Sequence, residues 1–222
     1  MTIPQKSTAG EAYTKPHIEK TFVFRMSSSF SRRIVPFVVK SILFQLVWVR
    51  EPMDLYILRH AIAVDSGSPA YEDDSQRPLT PRGSAKMKRI ASGLRHMQVE
   101  FDFILSSPLV RSRQTAGILA KTYDIQDKLV LTPALLPEAP GSQIINEINE
   151  KYPQYKSVVL IGHQPSLNTL ISMLISGDPT LSITLKKGGL CRLCSDHLHY
   201  DRCATLEWLL YPSQIYSQAG LD

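Results

Sequence analysis

The chain has 222 residues, enough for one domain with a sizeable core and a tail. Its formal charge of +5 would suit an anionic partner, yet residues 1–52 hold eight Lys and Arg against three Asp and Glu, while the remainder balances 17 against 17. A neutral domain without a basic stripe argues against nucleic acid as the partner. Three cysteines, an odd number with no secretion signal before them, argue against a disulfide scaffold, and the expected compartment is the reducing cytoplasm.

In chain order, residues 1–31 are polar and rich in Ser and Thr, without apolar periodicity, which reads as disorder. Residues 34–49 are strongly apolar behind Arg32 and Arg33. The run is shorter than the roughly 20 residues of a spanning helix. Pro36, Lys40 and Gln45 interrupt it, and no small-residue cleavage site follows. Residues 1–52 are therefore expected to be a poorly ordered extension or an upstream start, with membrane attachment through 34–49 as the weaker alternative. The domain is expected over 53–222.

Residues 54–58 form a short apolar run of strand formers that stops at the charged pair Arg59-His60. A loop over 64–77 follows, with Gly67, Pro69 and the acidic group Glu72-Asp73-Asp74. Thr80 then supplies an N-cap and Pro81 the first helical position, with Met87, Ile90, Ala91 and Leu94 at helical spacing. A second strand is predicted over 101–105, and a second helix over about 109–122, capped by Ser106-Ser107-Pro108. A third short strand surrounds Val130, and an irregular loop runs over 133–140. Ser142 is the expected cap of a third helix reaching Tyr152. Residues 158–161 read as a buried strand ending at Gly162-His163, and Pro165 opens a fourth helix to about Ser176. Three strand-like runs follow at 181–185, 190–194 and 205–211, with Gly188-Gly189 as a turn.

Strands alternating with helices of this length predict an α/β fold, a three-layer sandwich whose mostly parallel central sheet is flanked by helices. Ligands of such sheets gather beyond the carboxyl ends of the strands. His60 and His163 each follow a predicted strand directly, and Arg111 lies in the first turn of the helix after the second strand. The three are expected to converge on one edge.

These residue types suit phosphoryl transfer, which needs an in-line nucleophile and fixed positive charge around three equatorial oxygens. Guanidinium groups grip phosphate through two N–H bonds and stay charged, whereas neutral imidazole can attack phosphorus and leave again. Arg59-His60 offers both side by side. Arg111 adds a second guanidinium at a helix N-terminus, where free N–H groups also favour an anion. Gly162-His163-Gln164-Pro165 supplies a third element of the same kind.

Arg59-His60, the Ser-Pro-x-x-Arg-x-x-Gln-Thr segment from Ser107 to Thr115, and Gly162-His163-x-Pro165 together resemble the three signature motifs of the histidine phosphatase superfamily, with its phosphoglycerate mutase-like fold. Arg77-Pro78-Leu79-Thr80 and the compact domain resemble the phosphohistidine phosphatase SixA branch. The likeness runs from about Met53 to Pro212. It implies that His60 is the nucleophile that becomes phosphorylated, that Arg59, Arg111 and His163 form the phosphate pocket, and that Arg77 is a further phosphate contact. It implies no metal and no cofactor. Glycine usually follows the Arg-His pair, and here the residue is Ala61, which adds only a methyl group.

Larger members use a carboxylate to protonate an alkoxide leaving group. Glu138 is the candidate here, for that role or for substrate binding. A leaving imidazole, with a pKa near about 6.5, needs less help. The loops are short and only 61–77 can form a rim, which suits a phosphate carried on a protein. The expected substrate is therefore a phosphohistidine on a phosphotransfer protein, and the enzyme is expected to be a monomer without nucleic-acid or membrane partners. The alternatives are a small-molecule phosphatase or mutase on the same fold, and a non-catalytic phosphate-binding module.

Other residues have plainer readings. Arg113 points away from Arg111 on the helix and is read as solvated; Arg82, Lys86, Lys88 and Arg89 are read as a wet helix face. Glu72, Asp73 and Asp74 are read as loop solvation, with orientation of Arg77 as a further option. Cys191, Cys194, His197, His199 and Cys203 mimic a metal-ligand set, but Cys191 and Cys194 lie an odd number apart on a predicted strand and so face opposite sides of the sheet.

Overall fold

In the computed structural model, which describes residues 52–220, the first strand lies inside a six-stranded sheet of order β3-β2-β4-β1-β5-β6. The strands are β1 Met53–Arg59, β2 Phe103–Ser106, β3 Leu129–Leu131, β4 Ser157–Gly162, β5 Leu190–Ser195 and β6 Thr205–Leu210. The helices are α1 Pro81–His96, α2 Val110–Tyr123, α3 Gly141–Lys151, α4 Ser166–Ser176 and α5 Pro212–Gln218. The first four strands in the order are parallel, whereas β5 runs antiparallel to β1 and to β6. The extension to residue 51, with the apolar run 34–49, lies outside the described residues. Among the described residues no helix is long and apolar enough to cross a membrane.

Alternation along β1 explains the three layers. Leu55 and Ile57 face a cluster containing Ile144, Ile145 and Ile148 of α3 and Leu167, Leu170 and Ile171 of α4. Tyr56 and Leu58 face the other cluster, with Met87, Ile90 and Leu94 of α1, Leu119 of α2 and Ile215 of α5. A strand buried on both faces reads as a continuous apolar run because each successive side chain enters one of two cores.

Local signals act where they were read at the start of α1. The Thr80 hydroxyl accepts from Gly83 N at 2.9 Å, and Pro81 needs no donor. Elsewhere tertiary contacts override them. Ser142 is not the cap of α3: Pro140 holds that position, and Gly141 packs flush against the Tyr200 ring. The second helix starts at Val110 with Leu109 as its cap and no side-chain cap bond, because the Ser107 hydroxyl is turned toward His163.

Residues 181–185 form no strand. Asn168 Nδ2 donates to Ile183 O at 2.7 Å, and Arg59 Nη1 and Gln164 Nε2 donate to Leu185 O at 3.0 Å each. Side chains thus take the carbonyls that a neighbouring strand would have used. The turn after this segment folds onto β1, since Gly188 N donates to Arg59 O at 3.0 Å and Arg59 N to Gly189 O at 3.2 Å. Gly188 adopts φ +78 there, a conformation open to glycine. The short α5 falls beyond the last predicted strand.

The first turn of α1 abuts the backbone that follows His60. A methyl group added at Gly83 would lie 1.9 Å from Ile62 O, while one at Gly117 in α2 would meet nothing within 4 Å. Gly83→Ala is expected to destabilise the fold by about 1–3 kcal/mol. Gly117→Ala should stabilise it by about 0.5–1 kcal/mol, the gain of alanine over glycine inside a helix. Urea denaturation of both variants checks the contrast; equal midpoints would reject it.

Candidate active site

Three adjacent strands end at one level and deliver the candidate residues to one place. In the parallel register Arg59 pairs with Gly162, Leu58 with Ile161, and Ile161 in turn with Ser106. The next residues along, His60 and His163, therefore emerge side by side beyond the sheet, with ring centroids 5.0 Å apart. Arg111 sits in the first turn of α2, which follows β2, and is only 4% exposed. His60 and His163 are also buried.

The segment from Ser107 to Thr115 braces this arrangement. Thr115 Oγ1 donates to Arg111 O at 2.7 Å and accepts from Ala61 N at 3.1 Å, tying the helix to the residue after His60. Gln114 Oε1 accepts from Leu79 N at 2.7 Å, holding the approach to α1.

Hydrogen bonding assigns the His60 ring proton and anchors the His163 ring. His60 Nδ1 lies 2.8 Å from Ala61 O, a pure acceptor, so Nδ1 carries the proton and Nε2 keeps a free lone pair. His163 Nε2 meets Ser107 Oγ at 2.9 Å and Ser112 Oγ at 3.2 Å. Ser107 Oγ itself accepts from Leu109 N at 3.4 Å and keeps both a proton and a second lone pair for His163 Nε2. The two hydroxyls hold the ring through Nε2 and leave Nδ1 as its other nitrogen.

That Nδ1 is buried without a partner, and so are Arg59 Nε and Arg111 Nε. An unmet buried polar group costs about 1–3 kcal/mol. Two unmet guanidinium donors and an unpartnered ring nitrogen, on residues grouped with a bare imidazole nitrogen, make a site suited to a tetrahedral anion.

Burial lowers the His60 pKa to about 4; the bond to Ala61 O opposes this, and the positive charges of Arg111, Arg59 and Lys187 reinforce it. Burial likewise lowers His163 to about 3, with His60 and Arg111 adding to the shift and Asp74 working against it. Both rings are therefore neutral at pH 7. Arg111 is lowered by burial, and the Asp74 carboxylate counters this.

Arg77 reaches the group through Asp74. Its Nε lies 2.6 Å from Asp74 Oδ1, while Arg111 Nη2 lies 3.0 Å from Asp74 Oδ2. Asp74 thus touches two of the candidate arginines: the bond to Arg77 matches the second option read for this acidic group, whereas the bond to Arg111 was not anticipated. Ser112 on His163, and Lys187 in the turn beside His60, are further residues that the motifs did not single out, and Ser107, which opens the second motif, was read there as a helix cap and not as a partner of His163. The tie between the 186–189 turn and Arg59 brings Lys187 there, and that tie is invisible in sequence. Glu138 is exposed, and among the described residues no hydrogen bond or ion pair joins it to the other candidates.

Cys191 is fully buried in the core, Cys194 and Cys203 are half-buried, and Cys203 Sγ donates to His199 O at 3.1 Å. Among the described residues no group of three or more His, Cys, Asp or Glu is placed to hold a metal ion.

Comparison with known proteins agrees with this geometry. A sequence model of the histidine phosphatase superfamily (branch 1) matches residues 55–135. An uncharacterized protein of Picosynechococcus is 35% identical over 145 residues, covering 64% of this chain and 86% of the relative. Phosphohistidine phosphatase SixA of Escherichia coli is 27% identical over 165 residues, covering 73% of this chain and 96% of the relative. A solved structure of the protein histidine phosphatase SixA complexed with tungstate superposes with a TM-score of 0.61 at 23% identity, covering 72% of this chain and 98% of that one. The chain belongs to the histidine phosphatase superfamily. By class it is a phosphatase.

The neutral rings have a measurable consequence. NMR titration should show His60 protonating near pH 4 and His163 near pH 3, against about 6.5 for an unperturbed ring. The unfolded chain takes up both protons near pH 6.5 and the folded chain does so only lower. The stability linked to these rings is therefore complete above about pH 6.5 and is lost as the pH falls toward 4. A midpoint near 6.5 for either ring in the folded protein would reject the assignment.

Proposed function

We propose that the chain hydrolyses phosphohistidine on another protein by two in-line transfers through His60. The observation that carries this reading is the free Nε2 of His60 grouped with two unmet buried donors, Arg59 Nε and Arg111 Nε, and the unpartnered His163 Nδ1. In the first step His60 Nε2 attacks phosphorus, and the bond from phosphorus to the substrate imidazole breaks. The leaving ring departs neutral, keeping the proton on its other nitrogen. In the second step water attacks the phosphorylated His60, inorganic phosphate leaves, and the lone pair returns to Nε2.

Arg59, Arg111 and His163, with its proton on Nδ1, would hold the equatorial oxygens, with Arg77 as an outer contact on the rim. The Ala61 carbonyl, 2.8 Å from His60 Nδ1, would stabilise the positive charge that the ring gains on phosphorylation. The same bond keeps the ring a good leaving group in the second step. The tungstate of the SixA structure is a tetrahedral oxyanion, and it supports an anion as the occupant of this site.

The choice of substrate follows from the leaving group. Asp74, the carboxyl that reaches into this group, is held below the ordinary carboxylate range by its bond to Arg77, with Arg111 adding to the effect. It is ionised at neutral pH and is no proton donor. Glu138 has no tie to the site. A leaving alkoxide would lack an acid, whereas imidazole, with a pKa of about 6.5, requires little protonation. The name of the Escherichia coli relative, phosphohistidine phosphatase SixA, supports the same substrate.

Three sets of experiments test this reading. His60→Ala should lower turnover by about 10³-fold or more, and the wild-type protein should yield acid-labile phosphate on His60; a variant that still turns over would remove His60 as nucleophile. Rates across a panel of phosphohistidine proteins and small phosphate esters should favour the proteins. Faster turnover of an ester such as 3-phosphoglycerate would select the small-molecule alternative. Activity should survive EDTA, because guanidinium groups supply the charge; its loss would require a metal.

A further inference from the structure

We propose that Asp74 is a specificity-determining residue, which turns away substrates carrying a second negative charge beside the phosphoryl group. The inference rests on the reading of Arg111 as a phosphate ligand. Both terminal nitrogens of Arg111 are engaged by this one residue, Nη2 with Asp74 Oδ2 at 3.0 Å and Nη1 with Asp74 O at 2.8 Å. Its Nε is left without a partner. The guanidinium is thus gripped end-on by Asp74, and its remaining edge is free for phosphate.

The two members of this pair differ sharply in exposure, with side chains 4% exposed for Arg111 and 53% for Asp74. The arginine lies at the floor and the carboxylate at the mouth. Arg77 and Ser66 pin the carboxylate from the other side, through Asp74 Oδ1 at 2.6 and 3.3 Å. A phosphoryl group bound at Arg111 Nε therefore has a fixed negative charge beside its entrance, and whatever hangs from the phosphorus passes it. A cavity of about 280 Å³, lined by Ser66, Tyr71, Glu72 and Asp74 among others, continues from that carboxylate and adds a second one. A neutral or protonated imidazole is accepted in this field. A carboxylate next to the phosphate is repelled.

Glycerol 3-phosphate and 3-phosphoglycerate form the probe pair, because they differ by one carboxylate. Their inhibition constants are measured against turnover of p-nitrophenyl phosphate, so neither has to be hydrolysed. The wild-type protein should bind glycerol 3-phosphate about tenfold more tightly, equivalent to ~1.4 kcal/mol. Asp74→Asn, which keeps the shape and removes the charge, should bring the two constants together. Equal constants in the wild type would overturn the proposal, and that result needs no variant. So would a preference that survives in Asp74→Asn, or a variant in which both constants rise in parallel, since Asp74 would then only position Arg111. Failure of the phosphohistidine reading would appear separately, as poor turnover of phosphohistidine proteins with the wild-type inhibitor preference intact.

Discussion

The parallel pairing of β1 with β4 is the constraint on which the site depends. Because Leu58 lies opposite Ile161 and Arg59 opposite Gly162, the chain leaves both strands at the same height, and two imidazoles about a hundred residues apart in sequence stand 5.0 Å from each other. His60 N donates to Gly162 O at 3.1 Å, which carries the ladder one step past the last strand residue. A shift of one residue would send every side chain of β1 to the opposite core, so the hydrophobic alternation that stabilises the sheet also sets the distance between the histidines. Packing energy and active-site geometry are here the same constraint.

The electrostatics follow from that placement. Arg59, Arg111 and Lys187 bear on His60, and burial removes the water that would otherwise help it hold a proton. A field that keeps two rings neutral also attracts a phosphoryl dianion, so nucleophilicity and substrate binding under the proposed reaction have one origin. Asp74 is the counterweight. Its ion pair with Arg111 offsets part of that buried charge without filling the Nε edge, so the guanidinium is held in place and remains available. Unpartnered buried nitrogens at Arg59, Arg111 and His163 are a local cost, and the two cores on either side of the sheet bear it.

Legibility in the sequence tracked the range of the interactions involved. The start of α1 was readable because Thr80, Pro81 and Gly83 are within three residues of one another and the bond between them is local. The parallel strands were readable as apolar runs, and the residues at their carboxyl ends followed directly. The strand at 181–185 was misread because its alternating apolar pattern is real, with Leu185 fully buried, while its carbonyls are bonded by Asn168, Gln164 and Arg59 instead of by a strand. Ser107 had the composition of a helix cap. Its hydroxyl instead serves a ring 56 residues away.

By itself the sequence determined the α/β class, the order of most elements, and the identity of Arg59, His60, Arg111 and His163 as a set, since short-range periodicity and three compact motifs carry that information. The tertiary structure alone decided the ring proton of His60, the gathering of three unpartnered nitrogens, the reach of Lys187 to His60 and the grip of Asp74 on Arg111. Each of these depends on bonds between residues far apart along the chain, whose partners are chosen only when the sheet register closes and water is expelled around them.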